Sequence, residues 1–292
     1  MERALTVLVP TYEHDNYLHQ AIDSILLQET TIPIYIYIFV DFSENKTSLN
    51  IANNYSAKYK NIKVYENKER LFSGTKSFMY HCPGVESEFW AILEGDDYWL
   101  DRKKVLKQIE VLDSNSLIIG SGGITKIQVD DKFIDQISIE SKVHNLLASQ
   151  LLSKKYNFYI HTSSIIWRNK YRYKNMPLPK LYYKLMGDPG LKQSMMSDNF
   201  LFYFHKDFFS VYRKHDKGAW SSTSKEDQAE LNKIATKRWR KLLPLRIKIT
   251  KHFLDFAIND IDTFKFRYKF LKFLYRVFVK LKLFSCYKNE FY

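Results

Sequence analysis

The sequence predicts an α/β protein whose mostly parallel central sheet is flanked by helices, followed by a helical extension at the C-terminus. Over the first hundred residues, four short apolar runs alternate with segments of helical periodicity. The runs are rich in β-branched and aromatic side chains, which is typical of strands that are buried on both faces. After Pro244 the chain is basic and amphipathic, and that pattern favours helices.

The predicted elements alternate strictly between strand and helix. We expect strands at residues 5–9, 34–40, 62–65 and 88–93, with helices between them at 18–26, 49–55 and 76–81. A β-α-β-α-β-α-β order indicates a parallel, doubly wound sheet. Ligands of such sheets bind beyond the carboxyl ends of the strands.

Three of the predicted strands run into loops that carry polar groups. The first ends at Pro10-Thr11-Tyr12-Glu13, the second at Asp41 and the fourth at Glu94-Gly95-Asp96-Asp97. In a parallel sheet these ends lie at the same edge, so the three loops should converge on one crevice. That expected convergence carries more weight than any one of the loops.

The acidic loop is the strongest candidate for a phosphate-binding site. The dinucleotide fingerprint G-x-G-x-x-G and the P-loop G-x-x-x-x-G-K-[ST] are both absent, so a phosphate must be held in another way. Carboxylates at this spacing suit Mg²⁺ or Mn²⁺, which bridge to substrate phosphates. An isolated acidic turn is more often a solvated helix cap, but the apolar strand before it and the converging loops favour the metal site.

The sequence motifs, taken in order, resemble those of glycosyltransferase family 2. The acidic loop in ILEGDDYW (92–99) is similar to the D-x-D region of that family. The opening LTVLVPTYEHDNYLHQAIDSILLQ and the segment IYIFVDFSENKT are similar to its first strand and its nucleotide turn. Three later segments resemble its acceptor loop, its Gly-Asp segment and its Tyr-Arg-x-His motif: HTSSIIWR, MGDPGL and VYRKHDKGAWS.

The resemblance implies a GT-A fold and inverting sugar transfer from a nucleotide-sugar donor, expected to be UDP-linked, to a hydroxyl of a surface glycan or lipid-linked glycan. The nucleotide-sugar would contact Pro10, Thr11, Tyr12, Glu13, Asp41, Glu94 and Asp97, with Asp41 on the base. The metal ligands would be Asp96 and His215. Asp188 would be the general base, and Trp220 would wall the pocket.

Two residues depart from the family pattern and keep other functions open. Glu94 stands at the first D-x-D position, and Phe42 replaces the second Asp of the nucleotide turn. A catalytically inactive nucleotide-binding scaffold is one alternative. A metal-dependent nucleotidyltransferase is the other.

The positive charge of the chain belongs to its C-terminal end. Residues 236–292 hold 15 of the 45 basic and 4 of the 32 acidic side chains, a net of +11, which leaves 30 basic against 28 acidic before them. Since the body is nearly neutral and lacks a nucleic-acid motif, we expect no nucleic-acid partner. With two unmatched cysteines and no secretory signal, the sequence predicts a cytoplasmic protein.

We expect two regions, a GT-A domain at 1–225 and a basic, amphipathic helical region at 226–292. The cations of the second region recur every three or four residues, as on an interfacial helix that binds an anionic membrane: Lys265, Lys269, Lys272, Arg276 and Lys280. The protein would then be peripheral on the inner face of the cell membrane. Alternatively, the apolar face of this helix packs on the domain or on a second subunit of a homo-oligomer.

Overall fold

The computed structural model describes residues 2–71, 74–81, 85–116, 118–137, 145–147, 160–169 and 201–216, with residues 218, 224, 226, 227 and 230. The chain divides into two units, Met1–Trp239 and Arg240–Tyr292, and all described residues belong to the first. The predicted boundary after residue 225 and the C-terminal helix therefore stay predictions. Within the described part, no helix is long and apolar enough to cross a membrane.

The first third of the chain forms the predicted strand–helix units. Each strand ends close to where its apolar run ends, and each helix follows a short polar turn. The elements are β1 (Glu2–Thr11), α1 (Leu18–Leu26), β2 (Ile34–Val40), α2 (Thr47–Lys58), β3 (Ile62–Glu66), α3 (Gly74–His81) and β4 (Ser87–Ile92).

The remaining described elements are mostly strands. A short strand and a helix follow the acidic loop, and three further strands precede a 3₁₀ turn at Thr162–Ser164. In chain order they are β5 (Tyr98–Trp99), α4 (Lys104–Ser114), β6 (Ile118–Val129), β7 (Lys132–Ile137), β8 (Asn145–Leu147), β9 (Ile166–Arg168) and β10 (Leu201–Arg213).

The described strands form one sheet in the order β3-β2-β1-β4-β9-β6-β10-β5, with β7 paired to β6 and β8 paired to β10. The pairs among β1 to β4 are parallel, as predicted. Beyond β4 the sheet is mixed: β9 is antiparallel to both of its neighbours, whereas β10 is parallel to β6. The predicted α/β sheet is confirmed, and these later pairings were not predicted.

Both faces of the sheet are buried. On one face, Val7 and Ile38 pack in a core with the apolar sides of α1, α2 and α4. On the other face, Leu8 packs in a second core dominated by aromatic rings, among them Trp90 and Trp167. Neighbouring residues in the middle of β1 therefore enter opposite cores, which is why the run Val7–Val9 is apolar without a break.

A lysine lies in the core beneath the acidic loop. Lys104 is fully buried, its Nζ donates to Gln108 Oε1 at 2.7 Å, and it lies 4.1 Å from the centre of the Trp99 ring. Burial lowers the pKa of Lys104 well below its ordinary value, and the nearby charge of Asp101 opposes this shift. The buried amine therefore costs stability whenever the unfolded chain would hold it protonated.

We predict that the free energy of unfolding rises more steeply with pH in the wild-type protein than in Lys104→Met as the pH approaches the ordinary lysine pKa of 10.5. Because the folded-state pKa is the lower one, the unfolded chain binds more protons in this window, and the free energy of unfolding rises by up to about 1.4 kcal/mol per pH unit. Urea denaturation at several pH values measures the slope.

The matched control for this prediction is Lys103→Met, since the side chain of Lys103 is 59% exposed and adjoins Lys104 in sequence. Its pH slope should equal that of the wild type. Only the slope is compared, because Lys104→Met also removes the donor to Gln108 and so shifts stability at every pH. Parallel slopes for Lys104→Met and the wild type would contradict the prediction.

Candidate active site

Backbone hydrogen bonds continue past the strand ends and bring the polar loops together. The N–H of Asp41 donates to the carbonyl of Thr11 at 2.9 Å, and that of Gly95 donates to the carbonyl of Pro10 at 2.9 Å. The N–H of Asn67, just after β3, donates to the carbonyl of Val40 at 2.9 Å. The predicted convergence of the first, second and fourth strand ends is therefore observed, and the third strand joins them.

The carboxylate of Asp41 is buried and held by several donors. Its Oδ1 accepts from Asn67 Nδ2 at 2.8 Å, from the N–H of Leu71 at 2.8 Å and from the N–H of Phe42 at 3.1 Å. Its Oδ2 lies 3.4 Å from Arg70 Nε. These donors fix the orientation of the carboxylate.

The loop after β1 forms one wall of the crevice. The guanidinium of Arg70 lies over the ring of Tyr12. Glu13 adopts a left-handed φ of 50°, and its Oε1 accepts from Ser43 Oγ at 2.6 Å, which ties this loop to the loop after β2. Thr11 is buried, and its Oγ1 has no hydrogen-bond partner among the described residues.

Gly95 allows the acidic loop to approach β1 closely. A Cβ at this position would lie 2.7 Å from Thr11 Oγ1 and 3.0 Å from His14 Nδ1. Any side chain at residue 95 would therefore push the loop away from the first strand.

Two imidazoles face the carboxylate of Asp96. His215 Nε2 lies 3.1 Å and His14 Nε2 lies 3.5 Å from Asp96 Oδ2, and the two rings stand edge to face. Burial alone would raise the pKa of Asp96, but the neighbouring imidazole of His14 and the hydrogen bond from His215 outweigh burial and hold the pKa below its ordinary value. Burial lowers the pKa of His14, and Asp96 opposes that shift.

Asp97 points the other way and is fully buried. Its Oδ1 accepts from the N–H of Arg213 at 3.1 Å, and its Oδ2 has no hydrogen-bond partner among the described residues. Burial raises the pKa of Asp97 well above its ordinary value, and repulsion from Asp96 and Glu94 raises it further. Two neighbouring carboxyl groups are thus shifted in opposite directions, a pattern that often accompanies different chemical roles.

Arg213, at the end of β10, holds the acidic loop in place through hydrogen bonds. Its Nη1 donates to the carbonyl of Asp96 at 2.6 Å, and its Nη2 donates to Gln20 Oε1. The guanidinium also lies over the rings of Tyr17 and Tyr98, with its carbon 4.9 Å and 4.4 Å from their centres. Its backbone and side chain therefore connect the last described strand to the acidic loop and to α1.

The acidic loop offers donor atoms that fit a divalent cation. Ligand atoms of Glu94, Asp97 and His161 all lie within 4.8 Å of one another. On the other side of the loop, Asp96 faces two imidazoles, and the Nδ1 of His14 is buried with no hydrogen-bond partner among the described residues. A carboxylate–imidazole set suits Mn²⁺, whereas Mg²⁺ prefers oxygen ligands and water. The residues present therefore fit the predicted metal.

The crevice brings together most of the residues that the sequence predicted for the site. The predicted metal ligands Asp96 and His215 are in direct contact. The three residues whose ligand atoms lie within 4.8 Å of one another are instead Glu94, Asp97 and His161. Asp188 and Trp220 lie outside the described residues. The individual roles stay predictions for all of these residues: Pro10, Thr11, Tyr12, Glu13, Asp41, Glu94, Asp96, Asp97, Asp188 and His215.

Four side chains at the crevice were missed or underrated by sequence reasoning. His161 begins the segment that resembles the family's acceptor loop, yet its Nδ1 lies 3.8 Å from Asp97 Oδ2 in the acidic loop. Asn67 directly follows a strand, as Asp41 does, and the strand-end rule could have found it. His14 and Arg70 lie in loops where no sequence signal marks them.

Comparison with known proteins identifies the family. The sequence model described as "Glycosyl transferase family 2" matches residues 6–173. The uncharacterized protein Rv1520 of Mycobacterium tuberculosis is 24% identical over 223 residues, which are 75% of this chain and 61% of that protein. The uncharacterized glycosyltransferase MG025 of Mycoplasma genitalium is 28% identical over 117 residues, which are 40% of this chain and 38% of that protein. The chain thus spans about three fifths of the length of its mycobacterial relatives.

Solved structures share the fold at low sequence identity. The structure of residues 1–349 of TarS from S. aureus, in complex with UDP-GlcNAc, aligns with a TM-score of 0.57 and 18% identity over 80% of this chain and 66% of that one. The mannosyltransferase PcManGT from Pyrobaculum calidifontis, in complex with GDP-Man and Mn²⁺, aligns with a TM-score of 0.50 and 12% identity over 96% and 87% of the two chains. The fold is therefore of the GT-A type, and the chain belongs to glycosyl transferase family 2.

Proposed function

We propose that this protein transfers a sugar from a UDP-linked donor to a hydroxyl of a surface-glycan acceptor, with inversion at the anomeric carbon and with the help of a divalent metal. The observation that carries the proposal is the crevice that has Asp41 on one side and the acidic loop on the other. One carboxylate would meet the nucleobase, and the second would face the diphosphate. The ligands of the two structural relatives, UDP-GlcNAc and GDP-Man with Mn²⁺, support a nucleotide-sugar donor.

At the nucleotide end, Asp41 would accept the N–H of the base. The carboxylate is an acceptor of fixed orientation, and uracil offers one ring N–H that such an acceptor can bind. Tyr12, with Arg70 over its ring, lies on the loop beside it. Thr11 Oγ1 and Glu13 would contact the sugar–diphosphate portion from the same loop.

At the diphosphate end, Asp96 and His215 would hold the cation, with Glu94 and Asp97 on the same loop. A bound divalent cation stabilises the negative charge that grows on the departing diphosphate. The chain contributes an ionised carboxylate, because the pKa of Asp96 is held low, and a loop that Arg213 keeps in place. Mn²⁺ is favoured over Mg²⁺ by the imidazole donors.

The chemical step needs a base on the face opposite the leaving group. A bond forms between the acceptor oxygen and the anomeric carbon while the bond from that carbon to the phosphate oxygen breaks. The proton of the acceptor hydroxyl passes to a carboxylate, which we assign to Asp188 from the resemblance of MGDPGL to the family's Gly-Asp segment. Since one displacement occurs, the configuration inverts, and the nucleoside diphosphate leaves with both electrons of the broken bond.

We predict that Asp96→Asn lowers metal-dependent hydrolysis of UDP-sugars by about 10²–10³-fold, because the leaving group loses its electrostatic stabilisation. The assay is release of UDP in the presence of Mn²⁺, and Mn²⁺ binding by electron paramagnetic resonance shows whether the ion is lost. Asp113→Asn is the control, since Asp113 pairs with Arg3 on the surface and should leave both readings unchanged.

The same assay separates the proposal from its two alternatives. Release of pyrophosphate from UTP and a sugar phosphate would indicate a nucleotidyltransferase. Tight UDP binding with no turnover on any acceptor would indicate a scaffold. Equal hydrolysis by Asp96→Asn and the wild type would remove Asp96 from the mechanism.

We predict that Asp188→Asn lowers the transfer rate by about 10²–10⁴-fold and leaves donor binding unchanged, because the amide cannot accept the acceptor proton. The measurement compares kcat for transfer with the Kd for the UDP-sugar. Asp198→Asn is the matched control, ten residues further along the chain. If Asp198→Asn abolishes transfer and Asp188→Asn does not, the base is assigned to the wrong residue.

The basic C-terminal region is proposed to attach the protein to the inner face of the cell membrane. Each cation near an anionic leaflet contributes about 1 kcal/mol, so the five at three- and four-residue spacing would contribute about 5 kcal/mol before screening by salt. Attachment would place the enzyme on the same surface as a lipid-linked acceptor.

Replacing Lys265, Lys269, Lys272, Arg276 and Lys280 with Gln is expected to abolish sedimentation with anionic liposomes at low salt, since the apolar residues remain but the charge is lost. Neutral liposomes and high salt serve as controls with the wild-type protein. Unchanged sedimentation after deletion of residues 264–284 would exclude membrane binding by this region.

A further inference from the structure

A series of hydrogen-bonded side chains leads from Asp41 away from the crevice. Asn67 is fully buried, and its Nδ2 lies 2.8 Å from Asp41 Oδ1 and 2.7 Å from Ser77 Oγ. Its Oδ1 lies 2.9 Å from Nε2 of His81, the last residue of α3. Asn67 therefore links an imidazole to the carboxylate that lines the nucleotide end.

The chemistry of these groups determines which atom carries each proton. The ionised carboxylate of Asp41 can only accept, so the amide must present its NH₂ group to it and its oxygen to His81. That oxygen can only accept, so His81 must carry a proton on Nε2. The neutral Nε2–H tautomer and the imidazolium both meet this requirement.

Without a donor at residue 81, the amide oxygen of Asn67 would be buried with no hydrogen bond. A buried amide oxygen with no donor costs free energy, and displacement of the side chain toward another donor would relieve this cost. The amide would then give a weaker hydrogen bond to Asp41 Oδ1. Asp41 would keep the N–H donors of Phe42 and Leu71 but lose part of the constraint that sets its orientation.

The position of His81 is itself set by the packing of α3. The first residue of the helix, Gly74, is so close to Pro10 that a Cβ would lie 2.7 Å from the proline Cβ. At the other end of the helix, the His81 ring contacts the rings of Tyr65 and Phe39, with centres 5.4 Å and 6.1 Å away. The helix thus contacts β1 at its start and holds the imidazole against Asn67 at its end.

We propose that His81 is a positioning residue of the nucleotide site, which orients the Asp41 carboxylate through the amide of Asn67. The proposal rests on the proposed function in that Asp41 is taken to bind the nucleobase. His81 does not contact the nucleotide, and its replacement should affect only the binding of the base. Binding of the metal and diphosphate at the acidic loop is independent of it.

The test compares His81→Gln with His81→Met in the full-length protein. The two replacements have similar length and both lose the ring, but only the Gln amide can donate to Asn67. We expect His81→Met to raise the Kd for UDP by about five- to twentyfold, and His81→Gln to stay within about twofold of the wild type. Titration calorimetry with UDP and Mn²⁺ measures both values.

A second ligand separates positioning from general damage to the fold. Affinity for pyrophosphate with Mn²⁺ should be equal in both variants and the wild type, because this ligand lacks the base. In the transfer assay, His81→Met should raise KM for the donor and leave kcat unchanged. His81→Phe, which keeps a ring against Tyr65 and Phe39 but cannot donate, should behave like His81→Met.

The outcomes distinguish this proposal from the proposed function. If His81→Met and His81→Phe bind UDP as the wild type does while Asp41→Asn loses binding, His81 has no positioning role and the nucleotide site stands. If His81→Gln and His81→Met lose the same amount of affinity for UDP, the proposed positioning role of His81 is also overturned, because a donor at residue 81 then makes no difference. If Asp41→Asn binds UDP as tightly as the wild type, the nucleotide site itself is wrongly placed.

Discussion

The arrangement of the crevice depends on how three carboxyl groups are accommodated within four residues of the acidic loop. Burial raises the free energy of each charged carboxylate because the charge loses its hydration. Each charged carboxylate also raises the free energy of its neighbours by repulsion. Cationic and polar groups from other parts of the chain compensate for these charges. His14 and His215 face the carboxylate of Asp96. Arg213 donates one hydrogen bond to the backbone carbonyl of Asp96 and another to the carboxylate of Asp97. The end of β10 must therefore meet the loop after β1, and the mixed half of the sheet brings it there.

Much of the fold could be predicted because its signals are local. The strands and helices up to β4 follow from the periodicity of the residues that form them, and their parallel order follows from the alternation. Apart from the β6–β7 hairpin, the strands from β6 to β10 pair across long separations, and β9 has only three residues, so no sequence window reveals their order. Residues of β6, β9 and β10 share one core with Trp90 of β4, a long-range packing arrangement that a single sequence does not display.

The candidate site likewise contains residues that local sequence signals predict and residues that no local signal marks. Asp41 could be predicted because it directly follows an apolar strand, and Asp96 because it lies in the loop after one. The contact between Asp96 and His215 could be anticipated only from the motif resemblance. His14 and His81 could not be found, since each is marked only by its contact with a residue of another loop, Asp96 and Asn67 respectively. Glu94 and Phe42, the two departures from the family pattern, remain compatible with the site: Glu94 lies in the group with metal-ligand spacing, and the N–H of Phe42 donates to Asp41.

The two ends of the crevice are held by different kinds of group, and this matters for how a donor would bind. Amides and backbone N–H groups from β3 and the loop after it orient Asp41, so its geometry depends mainly on uncharged hydrogen bonds near a single arginine. The acidic loop instead balances charge against charge, and the pKa values of Asp96 and Asp97 are shifted in opposite directions. A cation arriving with a diphosphate would relieve that imbalance, whereas a base arriving at Asp41 would meet a geometry that is already set. Binding energy at the acidic loop would therefore come mainly from neutralised charge, and selectivity at the other end from orientation.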